Sequence, residues 1–192
     1  MRTVTDFLWY GAGLLGLTTA ALILLIAGGH FDPQPLGPLR DSWPAAQQIS
    51  PPLTEQINWL DGELPAPPIT LRLTASLDRG AVDVGYGLIL LTGRESVIVA
   101  VSPLGYAAVW RVVDNEVAVI QPWQTWPHIR RIDNELWLDV QDEALTIRFN
   151  RELYARLPLT AVPRQVGYYL INFEAGQDAV IRFGELQLFG HE

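Results

Sequence analysis

Hydrophobic and polar positions along this chain fall into three regimes. Residues 7–27 read FLWYGAGLLGLTTAALILLIA, an apolar run without a charge. At about 1.5 Å per residue this run matches the ~30 Å hydrocarbon core of a bilayer, so the pattern predicts an N-terminal transmembrane helix within residues 1–29. Phe7, Trp9 and Tyr10 at its leading end suit the headgroup layer. Arg2 precedes the run and Arg40 is the first basic residue after it, which orients the N-terminus to the cytoplasm and everything later outward. The rival reading is a signal peptide cleaved near Ala27-Gly28-Gly29; the length of the run and its leading aromatics favour a retained anchor.

Residues 30–68 form the second regime, with prolines at 33, 35, 38, 44, 51, 52, 65, 67 and 68. Repeated proline denies the chain helical hydrogen bonds and predicts a stiff spacer or strap. Leu36, Leu39, Trp43, Ile49, Leu53, Ile57, Trp59 and Leu60 are too many apolar residues for a solvated linker. A part of it around residues 55–60 is therefore expected to pack on the next domain or on a partner.

The third regime, residues 69–192, consists of short β-rich runs such as TLRLTASL, GYGLILL, SVIVAVS, ELWLDV and VGYYLINF, broken by Gly, Asp and Asn. Runs at this spacing without helical periods predict a mainly β chain: an antiparallel sandwich or jelly roll. Leu136, Leu138 and Val140 alternate with Glu135, Trp137 and Asp139, so the first set is expected inward and the second outward. By the same parity Tyr168 and Tyr169 face opposite sides, one in the core and one exposed.

The succession YGLILLTGRESVIVAVSPLGYAAVWRV, IQPW, HIRRIDNELWLDVQDEALTIRFNRELYARLPL and VGYYLINFEAGQDAVIRFGELQLF resembles the concanavalin A-like, laminin-G-like sandwich found in many bacterial extracellular proteins. The likeness covers about residues 69–189. It implies the fold and leaves the activity open, because the superfamily includes lectins, glycan hydrolases and modules with no known ligand.

Composition narrows the chemistry. The net charge is -8, and all 13 basic residues are Arg, so no lysine is present to act as base or Schiff-base former. Absence of cysteine removes disulfides, thiolate nucleophiles, cysteine-ligated metal centres and C-x-x-C-H haem attachment. The acidic balance without a basic cluster argues against a nucleic-acid partner. No cofactor is expected. Gly11-Ala12-Gly13-Leu14-Leu15-Gly16 spells G-x-G-x-x-G, yet it lies inside the apolar run with no preceding strand, so it is no dinucleotide site.

Catalytic and metal sites are not legible either. The hydrolase branch of the resembled superfamily carries acidic residues at alternate strand positions, resembling E-x-D-x-E. The nearest approach here, Glu135 and Asp139, puts its carboxylates about 13 Å apart along a strand, beyond the ~5 to 9.5 Å of glycosidase pairs. His30, His128 and His191 lack metal-ligand spacing, and no G-x-S-x-G elbow occurs. Asp139, Asp142 and Glu143 could hold calcium at a strand turn or form only a hydrated turn. No catalytic residue is assigned, and the chain is expected not to be an enzyme.

Two surfaces remain as candidates. Ala12, Gly16 and Ala20 stack on one helix face where another helix could approach closely. Trp123 and Trp126, followed by His128 and Arg130, form a proline-bounded loop that either contacts a sugar or protein partner or caps the sandwich core. The first functional expectation is a non-catalytic, single-pass accessory subunit of a larger membrane complex, for instance a respiratory or photosynthetic one. Its partners would be integral membrane subunits and the lipid bilayer, with the sandwich extracytoplasmic, periplasmic or at the cell surface. The alternative is a membrane-tethered, lectin-like module that binds glycan.

Overall fold

A computed structural model describes residues 4–28, 32–114 and 116–191, with side chains described from Gly11 onward. Arg2, Gly29, His30 and Asn115 lie outside the described residues, as do the side chains of Phe7, Trp9 and Tyr10. The chain divides into two compact units, Met1–Gln34 and Pro35–Glu192.

The first unit holds one helix, α1 (Val4–Ala27). The hydroxyls of Thr18 and Thr19 donate back to the carbonyl of Leu15, at 2.9 and 2.8 Å, so neither is left unpaired along the apolar stretch. The expectation of a membrane-spanning anchor is corrected. Among the described residues no helix is long and apolar enough to cross a membrane. The single-pass location, with a cytoplasmic N-terminus and an extracytoplasmic sandwich, falls with that span. Ala12, Gly16 and Ala20 are exposed, and a Cβ at Gly16 would meet nothing within 4 Å.

Among the described residues the second unit holds fourteen strands. In chain order they are β1 (Leu39–Trp43), β2 (Ala46–Ser50), β3 (Glu55–Trp59), β4 (Ile69–Gly80), β5 (Val84–Thr92), β6 (Glu95–Ser102) and β7 (Tyr106–Val113). They continue as β8 (Glu116–Thr125), β9 (Asn134–Gln141), β10 (Ala144–Phe149), β11 (Glu152–Pro158), β12 (Gln165–Asn172), β13 (Ala179–Phe183) and β14 (Leu186–Gly190). An eight-stranded sheet follows the order β1, β14, β4, β9, β10, β11, with β13 joining β2 to β4. A six-stranded sheet follows the order β3, β12, β5, β6, β7, β8. Every pairing is antiparallel.

Strict alternation explains how these sheets close on one core. From the eight-stranded sheet, Leu71 and Leu73 of β4, Leu136 and Leu138 of β9, and Ile147 and Phe149 of β10 are fully buried. The six-stranded sheet answers with Tyr86 and Leu88 of β5, Val97 and Val99 of β6, and Tyr168 of β12. Tyr168 stacks on Phe183 with ring centroids 4.2 Å apart and planes within 10°. The proline-rich stretch contributes β1, β2 and β3, which pair with β14, β13 and β12. Its prolines interrupt these short strands without preventing them, because the pairing groups come from the far end of the chain.

The two outer faces differ. On the eight-stranded sheet Arg72 pairs with Glu135 at 2.6 Å and lies 5.3 Å from the Trp137 ring centroid. Asp139 accepts from Thr70 Oγ1 and Trp137 Nε1, each at 2.6 Å, with Arg148 3.7 Å away. This face is an ionic ladder. The outer face of the six-stranded sheet instead carries a second apolar cluster of Ile89, Ile98, Ala100 and Tyr169, partly covered by Trp110, Val112, Trp123 and Ile171.

Candidate functional site

The second cluster follows from small residues at alternate positions. Gly85 and Gly87 flank Tyr86 on β5, so the inward tyrosine enters the core while the outward positions carry no side chain. Trp123 of β8 occupies the space left over Gly85. A Cβ there would stand 2.6 Å from Trp123 Cζ2 and 2.9 Å from Ile171 Cγ2.

Around this glycine the rings interlock. Trp123 meets Trp110 edge to face, with centroids 5.2 Å apart, and meets Phe173 the same way at 6.2 Å. Trp110 also leans on Tyr169 at 5.9 Å. Tyr169 is therefore buried although it points away from the main core, which corrects the expectation that one of the two adjacent tyrosines is exposed. Burial, reinforced by the neighbouring Glu55 carboxylate, raises the pKa of its hydroxyl.

Beside this aromatic group lies a cavity of about 310 Å³ lined by Asp83, Ser102, Tyr106, Trp123 and Phe173. Phe173 and Tyr106 are 40% and 37% exposed, large values for aromatic rings on a folded surface. The polar lining is anchored through the backbone. Phe173 N–H donates to the Asp83 carbonyl at 3.0 Å, while Glu174 Oε1 accepts from the amides of Val82 and Asp83 at 2.9 and 3.1 Å. The loop before β5 and the end of β12 are thus fixed to one another.

Of the four loop residues read as one contact site, the structure brings only Trp123 to this cavity. Trp126 packs against the inter-sheet core, edge to face with Tyr154 at 5.1 Å and tilted against His128 at 5.6 Å. The split follows from strand parity: side chains three positions apart on extended chain point to opposite faces. The segment after Trp126 closes one end of the sandwich. Arg130 N–H donates to Asn134 Oδ1 at 2.7 Å, and Asn134 Nδ2 returns a bond to the Arg130 carbonyl at 2.8 Å. Asn150 Nδ2 donates to the His128 carbonyl at 2.6 Å. His128 and Arg130 themselves are exposed.

Trp110, Tyr106, Phe173 and Asp83 escaped the sequence reading. Alternating Gly85 and Gly87 signalled a space on one sheet face, whereas the approach of Phe173 to Asp83 joins residues far apart in sequence. The carboxylates of Glu135 and Asp139 sit on the ionic ladder and not at the cavity. Among the described residues no three His, Asp or Glu side chains gather in a metal-holding arrangement.

No family model matches the chain, and no curated protein matches it in sequence. Solved structures do share its fold. A "native glycosidic hydrolase" is similar with a TM-score of 0.54 and 5% identity, over 79% of this chain and 96% of that one. The β-glucanase of Bacillus licheniformis is similar with a TM-score of 0.53 and 7% identity, over 77% and 78%. The carbohydrate binding module CBM66 from Bacillus subtilis reaches 0.50 with 11% identity, over 67% and 76%. The chain has a concanavalin-like jelly-roll sandwich fold. At these identities the likeness carries the fold, and neither a bacterial source nor a membrane anchor.

Proposed function

We propose that this protein is a non-catalytic glycan-binding module whose ligand lies on the outer face of the six-stranded sheet. The observation that carries this reading is the cavity in which Trp123, Phe173 and Tyr106 stand beside Asp83 and Ser102. A pyranose ring offers an apolar C–H face to an indole or phenyl ring and hydroxyls to a carboxylate and a serine, and this lining supplies both kinds of partner. The similar folds of a carbohydrate binding module and a β-glucanase support a sugar as the ligand class without assigning one.

The non-catalytic part of the proposal rests on how the strand carboxylates are occupied. Glu135 is engaged by Arg72 and Arg151, and Asp139 by Thr70, Trp137 and Arg148. Both therefore serve the ionic ladder on the opposite sheet. The accessory-subunit expectation leaned on a membrane span that the described residues do not provide, and nothing in the fold supports it.

The test is affinity electrophoresis of the full chain through gels containing soluble polysaccharides, with Trp123→Ala beside it. Retardation of the parent chain by at least one polysaccharide, abolished in a variant of unchanged far-ultraviolet circular dichroism, is the expected outcome. Equal retardation of both proteins would move the site elsewhere, and free migration of the parent through every polysaccharide would overturn the reading.

A further inference from the structure

The same cavity has a charge character that a site for neutral sugar does not require. Among the described residues Asp83, which is exposed, is the one carboxylate lining the cavity, and no basic side chain lines it. Among the described residues no Arg or His forms an ion pair with Asp83. A second carboxylate, Glu174, is held next to it by the amides of Val82 and Asp83. Three aromatic rings complete the wall. Trp123 and Phe173 are mutually perpendicular, at 83°, so one presents its edge where the other presents its face.

We propose that this cavity takes a positively charged organic group, a protonated primary amine, carried on the glycan as a free amino sugar. The proposal deepens the glycan-binding reading and rests on it for the position of the ligand. An ammonium centre is attracted to the negative faces of indole, phenol and phenyl rings, while the nearby carboxylate supplies full opposite charge. An acidic sugar would meet Asp83 and Glu174 with like charge, and an N-acetylated sugar would leave Asp83 without a cation. The ~310 Å³ volume sits at the small end of ligand cavities, enough for one such group and part of its ring. The net charge of -8 favours approach of a cation at low ionic strength.

Isothermal titration of the full chain at pH 6 and low salt, with three probes, tests this. The probes are an oligomer of glucosamine with free amines, the same oligomer fully N-acetylated, and tetramethylammonium. Expected is at least tenfold tighter binding of the free-amine oligomer than of the acetylated one. That preference should be lost in Asp83→Asn and weakened by added salt, with tetramethylammonium competing. Phe173→Leu, which keeps the charge and removes one aromatic face, should weaken tetramethylammonium as well. Equal binding of both oligomers would overturn the charge inference while the glycan reading stands. Binding of tetramethylammonium alone, dependent on Asp83, would overturn the amino-sugar assignment and leave a cation site for an ammonium group not carried on this sugar, while the polysaccharide gels decide the glycan reading. Failure of all three probes would overturn the proposal.

Discussion

Trp123 and Trp110 meet edge to face with centroids 5.2 Å apart and planes at 76°, and the Trp123 indole lies where a Cβ on Gly85 would stand. A residue without a side chain on β5 thereby fixes the position of the ring that walls the cavity. Ring pairs of this geometry contribute about 0.5–1.5 kcal/mol beyond the area they bury, so the indole is held in one orientation before any ligand arrives. Preorganised stacking surfaces lose less freedom on binding.

Gly85→Ala tests that dependence. The new methyl would sit 2.6 Å from Trp123 Cζ2 and 2.9 Å from Ile171 Cγ2, so the indole must move. A loss of about 1–3 kcal/mol in denaturant unfolding is expected from overpacking. A changed near-ultraviolet dichroism and weakened glycan retention should accompany it. Retained binding with an unchanged tryptophan spectrum would show that the indole is not held by this contact.

Trp126→Ala should behave in the opposite way from Trp123→Ala. Its ring packs on Tyr154 and on the inter-sheet core, so truncation is expected to cost about 3 kcal/mol, the low end for a tryptophan because the ring is only partly buried. Glycan retention measured below the unfolding temperature should be unchanged. A variant of parent stability would show that the loop does not cap the sandwich.

Arg111→Leu addresses the buried ion pair at the β5–β6 turn. Glu95 is 5% exposed, pairs with Arg111 at 2.9 Å and accepts from Thr160 Oγ1 at 2.6 Å. Removing the guanidinium leaves a buried carboxylate uncompensated, at a cost of about 3–5 kcal/mol in unfolding free energy, measured by urea denaturation. Adding Glu95→Gln should recover a large part of that loss. Failure to recover would locate the effect in the Arg111 bond to the Pro158 carbonyl, 2.6 Å away.

Alkaline pH should unfold the sandwich through its buried phenols. Burial raises the pKa of Tyr86 to about 12 and raises those of Tyr154, Tyr168 and Tyr169 above 10.0. Above pH 10 the unfolded chain releases protons that the folded chain retains. Stability is therefore complete below about pH 10 and declines as pH climbs towards 12. Chemical unfolding at pH 8, 10 and 11.5, followed with phenolate absorbance, checks this. Ionisation of all tyrosines at pH 10 with no loss of stability would contradict the burial of these rings.

What the chain determined by itself was whatever a period of two can specify. Leu136, Leu138 and Val140 face the core because each alternates with a polar or amphipathic neighbour, and Tyr168 and Tyr169 oppose one another for the same reason. Acidic charge and the absence of Lys and Cys were equally plain. Long-range pairing decided the rest. Three short strands in the proline-rich stretch exist because β12, β13 and β14, more than a hundred residues later, offer them backbone partners. Strand parity turns Trp123 and Trp126 to opposite faces, but only the folded sheet brings Gly85 of β5 under the Trp123 ring and Tyr154 against Trp126. Likewise Phe173 meets Asp83 because the β12–β5 pairing runs to Asn172 and Val84 and continues in the bonds of Phe173 and Glu174 to the loop before β5. Local sequence sets which way a side chain points; the register of distant strands sets what it meets there, and that register is fixed by the closure of the whole core.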